Sequence, residues 1–404
     1  MKRILALSAI LITLSNLLFA QGMLVNGTWH ATIKNSSGKL IPFNFEVSGT
    51  AAKHIAIING SEHFEVPDVK TNGDSVFIHM PLFDSEFRAK LTDGNLTGHW
   101  IRHLPKQDVL FDFAAEPNQT YRFFKTGDKP AFNITGRWSA IFASGDTTVA
   151  EFKQQGNHLT GTFLTTTGDY RYLEGIVTAD SLYLSCFDGG HAFLFTAKIE
   201  GSEIAGGKFY SGYSGKDEWV ADKNENAKLP DAYSLTVLKP GYKKVAFTFT
   251  DLEGKKVSLS DDRFKNKVVI LQMMGSWCPN CMDETAYMVN FYKKYHPKGV
   301  EVIGLAYERS TDFNRSKKSL EALKIRFSVP YPILITGYTN DKRDAAKSLP
   351  MMANFLAFPT TIIIDKKGDV RKIHTGFSGP GTGNYYAEFI NEFEKLNDDL
   401  LAEK

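Results

Sequence analysis

The segment Trp277-Cys278-Pro279-Asn280-Cys281 constrains this chain most, because of where it stands. It follows directly on a largely apolar run, Val268–Met274, that reads as a buried central strand. It precedes directly a segment, Asp283–Tyr295, whose apolar residues Met288, Phe291 and Tyr292 recur at helical spacing. A cysteine at such a strand-to-helix junction faces the unpaired N–H groups of the first helical turn and the positive end of the helix dipole. Both favour the thiolate and raise the reactive fraction near neutral pH. Two intervening residues allow a small reversible disulfide ring, and Pro279 stiffens it at a position where helices tolerate proline.

The surrounding pattern is alternating. Ala246–Thr250 reads as a short strand ending in a turn at Asp251-Leu252-Glu253-Gly254, and Val300–Ala306 as another apolar strand. Ser316–Phe327 reads as a helix, Tyr331–Ile335 as a strand and Lys342–Ser348 as a short helix. Thr360–Asp365 starts a hairpin through Lys366-Lys367-Gly368-Asp369 into Val370–His374, and Tyr386–Leu401 is a closing amphipathic helix. This order predicts an α/β sheet covered on both faces.

Over roughly residues 240–400 the sequence resembles the thioredoxin superfamily, and within it the TlpA/ResA-like exported thiol-disulfide oxidoreductases. Three features carry the resemblance: the Trp-Cys-x-x-Cys segment after a buried strand, Glu284 three residues beyond Cys281, and Phe358-Pro359-Thr360 ahead of a strand, at the place of the family's cis-proline loop. The resemblance implies that Cys278 attacks a substrate disulfide and Cys281 resolves the mixed disulfide. It also implies that Pro359 is cis and faces the pair, so that Phe358 and Thr360 line an extended substrate while Trp277 shields one side of the thiols. Glu284 becomes the candidate acid/base or pKa-tuning group. The sequence departs from the superfamily at Gln272, where many thioredoxins hold a buried Asp six residues before the first cysteine. Gln cannot titrate, so proton management falls to Glu284 or water. No organic cofactor and no metal is implied; electrons would come from an upstream thiol donor, and the partners would be protein disulfides or dithiols.

The first half has another character. Residues 24–222 read as all-β, with runs such as Leu40–Val47, Ser75–Met80 and Ala192–Ile199 separated by turn signals such as Asn72-Gly73, Asp93-Gly94 and Asp188-Gly189. The region repeats itself. Gly27-Thr28-Trp29 resembles Gly136-Arg137-Trp138, Gly73–Ile78 resembles Ala179–Leu184, and Lys90–Trp100 resembles Lys198–Phe209, all at offsets of roughly 106 to 109 residues. Two repeated antiparallel modules, about 24–115 and 133–222, form a sandwich or a barrel. Their tryptophans Trp29, Trp100 and Trp138 read as core anchors rather than sugar-stacking platforms. The fold class expected is therefore an α/β thioredoxin-like C-terminal domain, 244–404, behind an all-β N-terminal region, 21–222, with a linker at 223–243 that is rich in polar residues and broken by Pro230, Pro240 and Gly241.

Lys2 and Arg3 ahead of the apolar run Ile4–Ala20 read as a signal peptide, 1–20, with export to a bacterial periplasm or cell envelope expected. An uncleaved anchor is the alternative, since the run approaches spanning length. Among 404 residues there are three cysteines, too few for a disulfide framework, and Cys186 in a β-rich run reads as a buried apolar residue. A net charge of +2 gives no electrostatic case for nucleic acid. A zinc site would need a second ligand pair, and neither a second Cys pair nor a suitably spaced His pair follows. The rival functional reading is a polypeptide- or glycan-binding envelope protein with the thioredoxin-like part as scaffold. The oligomeric state is not legible.

Overall fold

In the strand Gly27–Lys34, Trp29, Ala31 and Ile33 point inward while their neighbours face outward, the two-residue period of a half-buried strand. The same alternation runs through most strands of the first half. The computed structural model describes residues 24–403 apart from 51, 126 and 146, so the apolar run read as a signal peptide lies outside the described residues. The strands between Gly27 and Pro117 form one nine-stranded antiparallel sheet, in which Gly27–Lys34 pairs with Asp108–Pro117. Those between Gly136 and Lys223 form a second nine-stranded sheet. Here Thr147–Gln155 pairs both with Gly136–Phe142 and with His158–Thr165, which closes the sheet into a barrel and removes its free edges.

The two modules repeat each other in detail. Trp29 Nε1 donates to the carbonyl of Val25 at 3.0 Å, and Trp138 Nε1 donates to that of Ile134 at 2.9 Å. Gly27 and Gly136 precede them with left-handed φ of 120° and 116°. Lys90 pairs with Asp74, and Lys198 with Asp180. Trp29, Trp100 and Trp138 are all core residues. The modules also share a core: Phe187 of the second packs among Phe43, Phe87 and Trp100 of the first, with ring centroids 4.4, 5.6 and 4.9 Å away. Cys186, beside it, is buried and unpaired, and burial pushes its thiol well up, which keeps it protonated and inert.

The third sheet has seven strands. Its central strand, Val268–Met274, is buried at every residue and lies between the parallel strand Val300–Glu308 and the antiparallel strand Thr360–Ile364. Helices Pro279–Tyr295, Phe313–Phe327, Lys342–Ser348 and Asn384–Ala402 cover it. The first begins four residues ahead of its apolar spacing because Pro279 opens it. Residues 223–243, read as a linker, are not a free tether. They carry a short helix, Ala232–Leu235, and are pinned to the third sheet's domain by backbone hydrogen bonds from Lys239 to Met351 and from Ala353 to Val237.

One buried side chain joins all three sheets. Arg171, from the second, lies 2.5 Å from Asp283 in the Pro279–Tyr295 helix and 3.2 Å from Asp188, pairs with Glu62 of the first sheet, and donates to the carbonyl of Pro279 at 3.1 Å. One guanidinium thus serves three carboxylates. Burial pushes Asp283 up, to about 7, while His191 and Arg171 overcome burial and hold Asp188 well below the usual carboxylate range. Replacing Arg171 with Ala strands these carboxylates without a cation, so the expected loss is about 3–5 kcal/mol of stability, read as a lowered midpoint in urea unfolding.

Candidate active site

The helix Pro279–Tyr295 is capped by Cys278 itself. The backbone N–H of Cys281 donates to the Cys278 sulfur at 3.2 Å, so the sulfur occupies the place of an N-cap acceptor. Cys278 and Cys281 form a disulfide with their Cα atoms 5.2 Å apart. Opposite stands the Phe358–Pro359 peptide bond, which is cis, with the Phe358 carbonyl oxygen 3.8 Å from the Cys278 sulfur. Trp277 is held by a hydrogen bond from its indole N–H to the Tyr307 carbonyl at 2.8 Å and meets the Phe358 ring edge-on at 5.5 Å. Of the residues read as a substrate platform, Trp277, Phe358 and Pro359 therefore surround the sulfur pair. Thr360 does not present its side chain there: it is buried, and its hydroxyl donates to the Ala357 carbonyl at 2.8 Å.

Behind the disulfide lies a polar cluster in an otherwise apolar core. Glu284 stands one helical turn beyond Cys281, on the same face, and is fully buried. Its carboxyl accepts from Gln272 Nε2 at 2.9 Å and from the Thr361 hydroxyl at 2.6 Å. Gln272 in turn donates to Thr285 and accepts from the Tyr331 hydroxyl. The amide on the central strand holds the carboxyl of the helix, so the titratable group has moved across the interface rather than vanished. Burial pushes Glu284 up to about 7, against the pull of its two hydrogen bonds.

The β modules reach the motif directly. Asn280 Nδ2 donates to the Asp169 carbonyl at 3.1 Å and to that of Phe377 at 3.4 Å, and the Gly379 N–H donates to the Asp169 carboxylate at 2.6 Å. Gly190 packs so closely that a Cβ there would stand 2.9 Å from Pro279 and 3.2 Å from Phe83. Leu82 and Phe83, from the first sheet, join the same core as Cys278, whose exposure falls to 5%. Sequence reasoning missed these contacts. Arg171 stands alone between two tyrosines with no periodic signal, and Asp188-Gly189 signals a turn without saying what the turn meets. Among the described residues no group of three or more His, Cys, Asp or Glu side chains could hold a metal ion, and no helix is long and apolar enough to cross a membrane.

A dithiol pair capping a helix, faced by a cis-proline loop on a mixed sheet, defines a thioredoxin-like redox domain. The Redoxin family model matches residues 228–388. The thiol-disulfide oxidoreductase ResA of Geobacillus kaustophilus is 35% identical over 130 residues, 32% of this chain and 66% of that protein. That of Bacillus thuringiensis subsp. konkukian is 34% identical over 124 residues, 31% of this chain and 62% of its own. That of Halalkalibacterium halodurans is 30% identical over 141 residues, 35% of this chain and 71% of that protein. The chain thus spans a little under two thirds of the length of the first two relatives. Among solved structures, a thioredoxin-family thiol:disulfide interchange protein of Chlorobium tepidum is similar at 20% identity and a TM-score of 0.31, covering 41% of this chain and all of that one. Through its C-terminal domain the chain belongs to the TlpA/ResA-like members of the thioredoxin superfamily.

The position of Glu284 has a measurable cost. Its folded pKa, about 7, exceeds its ordinary value of 4.5, so the folded state binds the proton more tightly. The associated stability is fully present below about 4.5 and is lost as pH rises through about 7, with a slope approaching roughly 1.4 kcal/mol per pH unit between. Melting temperatures from pH 4 to 8 are expected to fall along this window in the wild type and to fall less steeply in Glu284→Gln, where Asp283, also pushed up to about 7, still contributes.

Proposed function

We propose that the protein is a thiol-disulfide oxidoreductase that reduces protein disulfides in the bacterial cell envelope through the dithiol of Cys278-Pro279-Asn280-Cys281. The reading is carried by one juxtaposition: the Cys278 sulfur at the start of a helix, facing the cis Phe358–Pro359 bond, with the buried carboxyl of Glu284 behind. The Cys278 thiolate attacks one sulfur of the substrate disulfide, forming a mixed disulfide and releasing the other sulfur as a thiolate that takes up a proton. Glu284, titrating near neutrality, accepts the proton of the Cys281 thiol, directly or through water. Cys281 then attacks the Cys278 sulfur, the mixed disulfide breaks, and the second substrate thiol leaves. Two electrons pass to the substrate, and an upstream dithiol protein restores the reduced pair. Phe358, Pro359 and the backbone of Thr360 align an extended substrate strand, and Trp277 walls one side. Residues 1–20 direct export, in keeping with the positive start and apolar run. The all-β region, modules 24–115 and 133–222, positions the substrate against this site.

Cys278→Ala is expected to abolish reduction of insulin disulfides, and Cys281→Ala to accumulate mixed disulfides visible on non-reducing gels. Glu284→Gln is expected to lower turnover at pH 7 by about a hundredfold. Full reductase activity in the Cys278 variant would falsify the assignment.

A further inference from the structure

A cleft of about 680 Å3 opens between the Met80–Ser85 loop of the first β module and the end of the strand Val300–Glu308, with Ser276 and Trp277 at its floor. Its acidic groups are already engaged. Glu86 pairs with Arg88, His79 and His103; Asp84 pairs with Arg315 at 3.4 Å; Asp68 pairs with Lys70 and His79. Glu308 accepts from the backbone N–H and the hydroxyl of Ser276 at 2.7 and 2.6 Å. Arg309 is left over. Its guanidinium lies over the Trp277 ring, 5.9 Å from the centroid, and no carboxylate among the described residues comes within ion-pair distance of it. Burial, with Arg102 beside it, pushes Arg309 down to about 10 against the attraction of Glu308 and Asp84, so it remains a cation at neutral pH, with neither of those carboxylates in ion-pair contact with it. On the opposite wall Phe83 and Asp84 both hold left-handed φ, 72° and 47°, a conformation uncommon for a bulky residue such as Phe.

We propose that this cleft receives a carboxylate of the substrate polypeptide, and that Arg309 pairs with an Asp or Glu lying next to the substrate's reactive cysteine. The inference rests on the oxidoreductase reading and names its substrate class: disulfides in acidic sequence. A half-buried guanidinium offers a planar fork to a carboxylate, and partial desolvation strengthens that pair relative to one in water. Since Trp277 adjoins Cys278, a side chain seated on Arg309 brings its neighbours in sequence to the sulfur. Arg309 is thus a specificity-determining residue built at the seam between the β region and the redox domain.

The test uses the full chain, reduced with dithiothreitol, and two synthetic peptides closed by one internal disulfide, with Asp beside the cysteines in one and Lys in the other. The Asp peptide is expected to have a KM roughly tenfold below that of the Lys peptide at low salt, with kcat alike, and added NaCl is expected to narrow the gap. In Arg309→Gln the two KM values are expected to converge, and Arg309→Lys, the milder change, to keep an intermediate ratio. Equal KM values in the wild type, or a ratio that survives Arg309→Gln, would overturn the inference and leave the oxidoreductase reading standing. Failure to reduce either peptide and hydroxyethyl disulfide would overturn both.

Discussion

Much of this architecture depends on a single buried cation. Arg171 meets carboxylates from the first sheet, the second sheet and the helix that carries the cysteine pair. A buried ion cluster is a weak source of net stability, because desolvation cancels most of the attraction. Its value is geometric: a planar guanidinium accepts partners only in certain directions, so Glu62, Asp188 and Asp283 can share it in one arrangement of the three sheets. The Pro279 carbonyl is part of the same cluster. The register of the β region on the redox domain is thereby set at Pro279, one of the two residues between the sulfurs, and the cleft beside Trp277 takes its shape from that docking.

The setting of Glu284 follows from a second constraint, the apolar core behind the disulfide. A strand buried at every position can hold a polar side chain only if its polar atoms are matched. Gln272 meets this requirement with three hydrogen bonds, to Glu284, Thr285 and Tyr331. The carboxyl it supports stands on the helix instead of the strand, close in sequence to Cys281. The departure at position 272 and the carboxyl at 284 are two halves of one arrangement.

The sequence made the redox domain legible because its signals are local. An apolar strand, a Cys pair and a helical period lie end to end, and Pro359 announces itself by its dipeptide context. The module repeat was legible for a related reason: Gly-x-Trp needs a left-handed glycine and a capped indole, and both copies meet that need in the same way. Barrel closure was less so, since it depends on Thr147–Gln155 having two partners, a fact of register rather than composition. The contacts between domains were not legible. Arg171, Asp169, Gly190 and Arg309 lie far from the cysteines in sequence, and each is ordinary in its own neighbourhood. Glu284 could be read as an exposed helix carboxylate or as a tuning group, and only the packing of Thr361 and Gln272 against it distinguishes the two.

The grip of the barrel formed by the second sheet on Pro279 and Asn280 joins covalent state to mechanical fit. Both residues belong to the ring that opens when the sulfurs are reduced. Any difference in how well Gly190 and Asp169 accommodate the open and closed rings is a coupling free energy, and coupling of this kind acts in both directions. Where such a difference exists, loosening the barrel from the ring shifts the midpoint potential of the sulfurs by the corresponding amount, and electrons arriving at the sulfurs alter how firmly the barrel is seated. In that case the β region would act as a ballast on the redox equilibrium as well as a wall of the cleft.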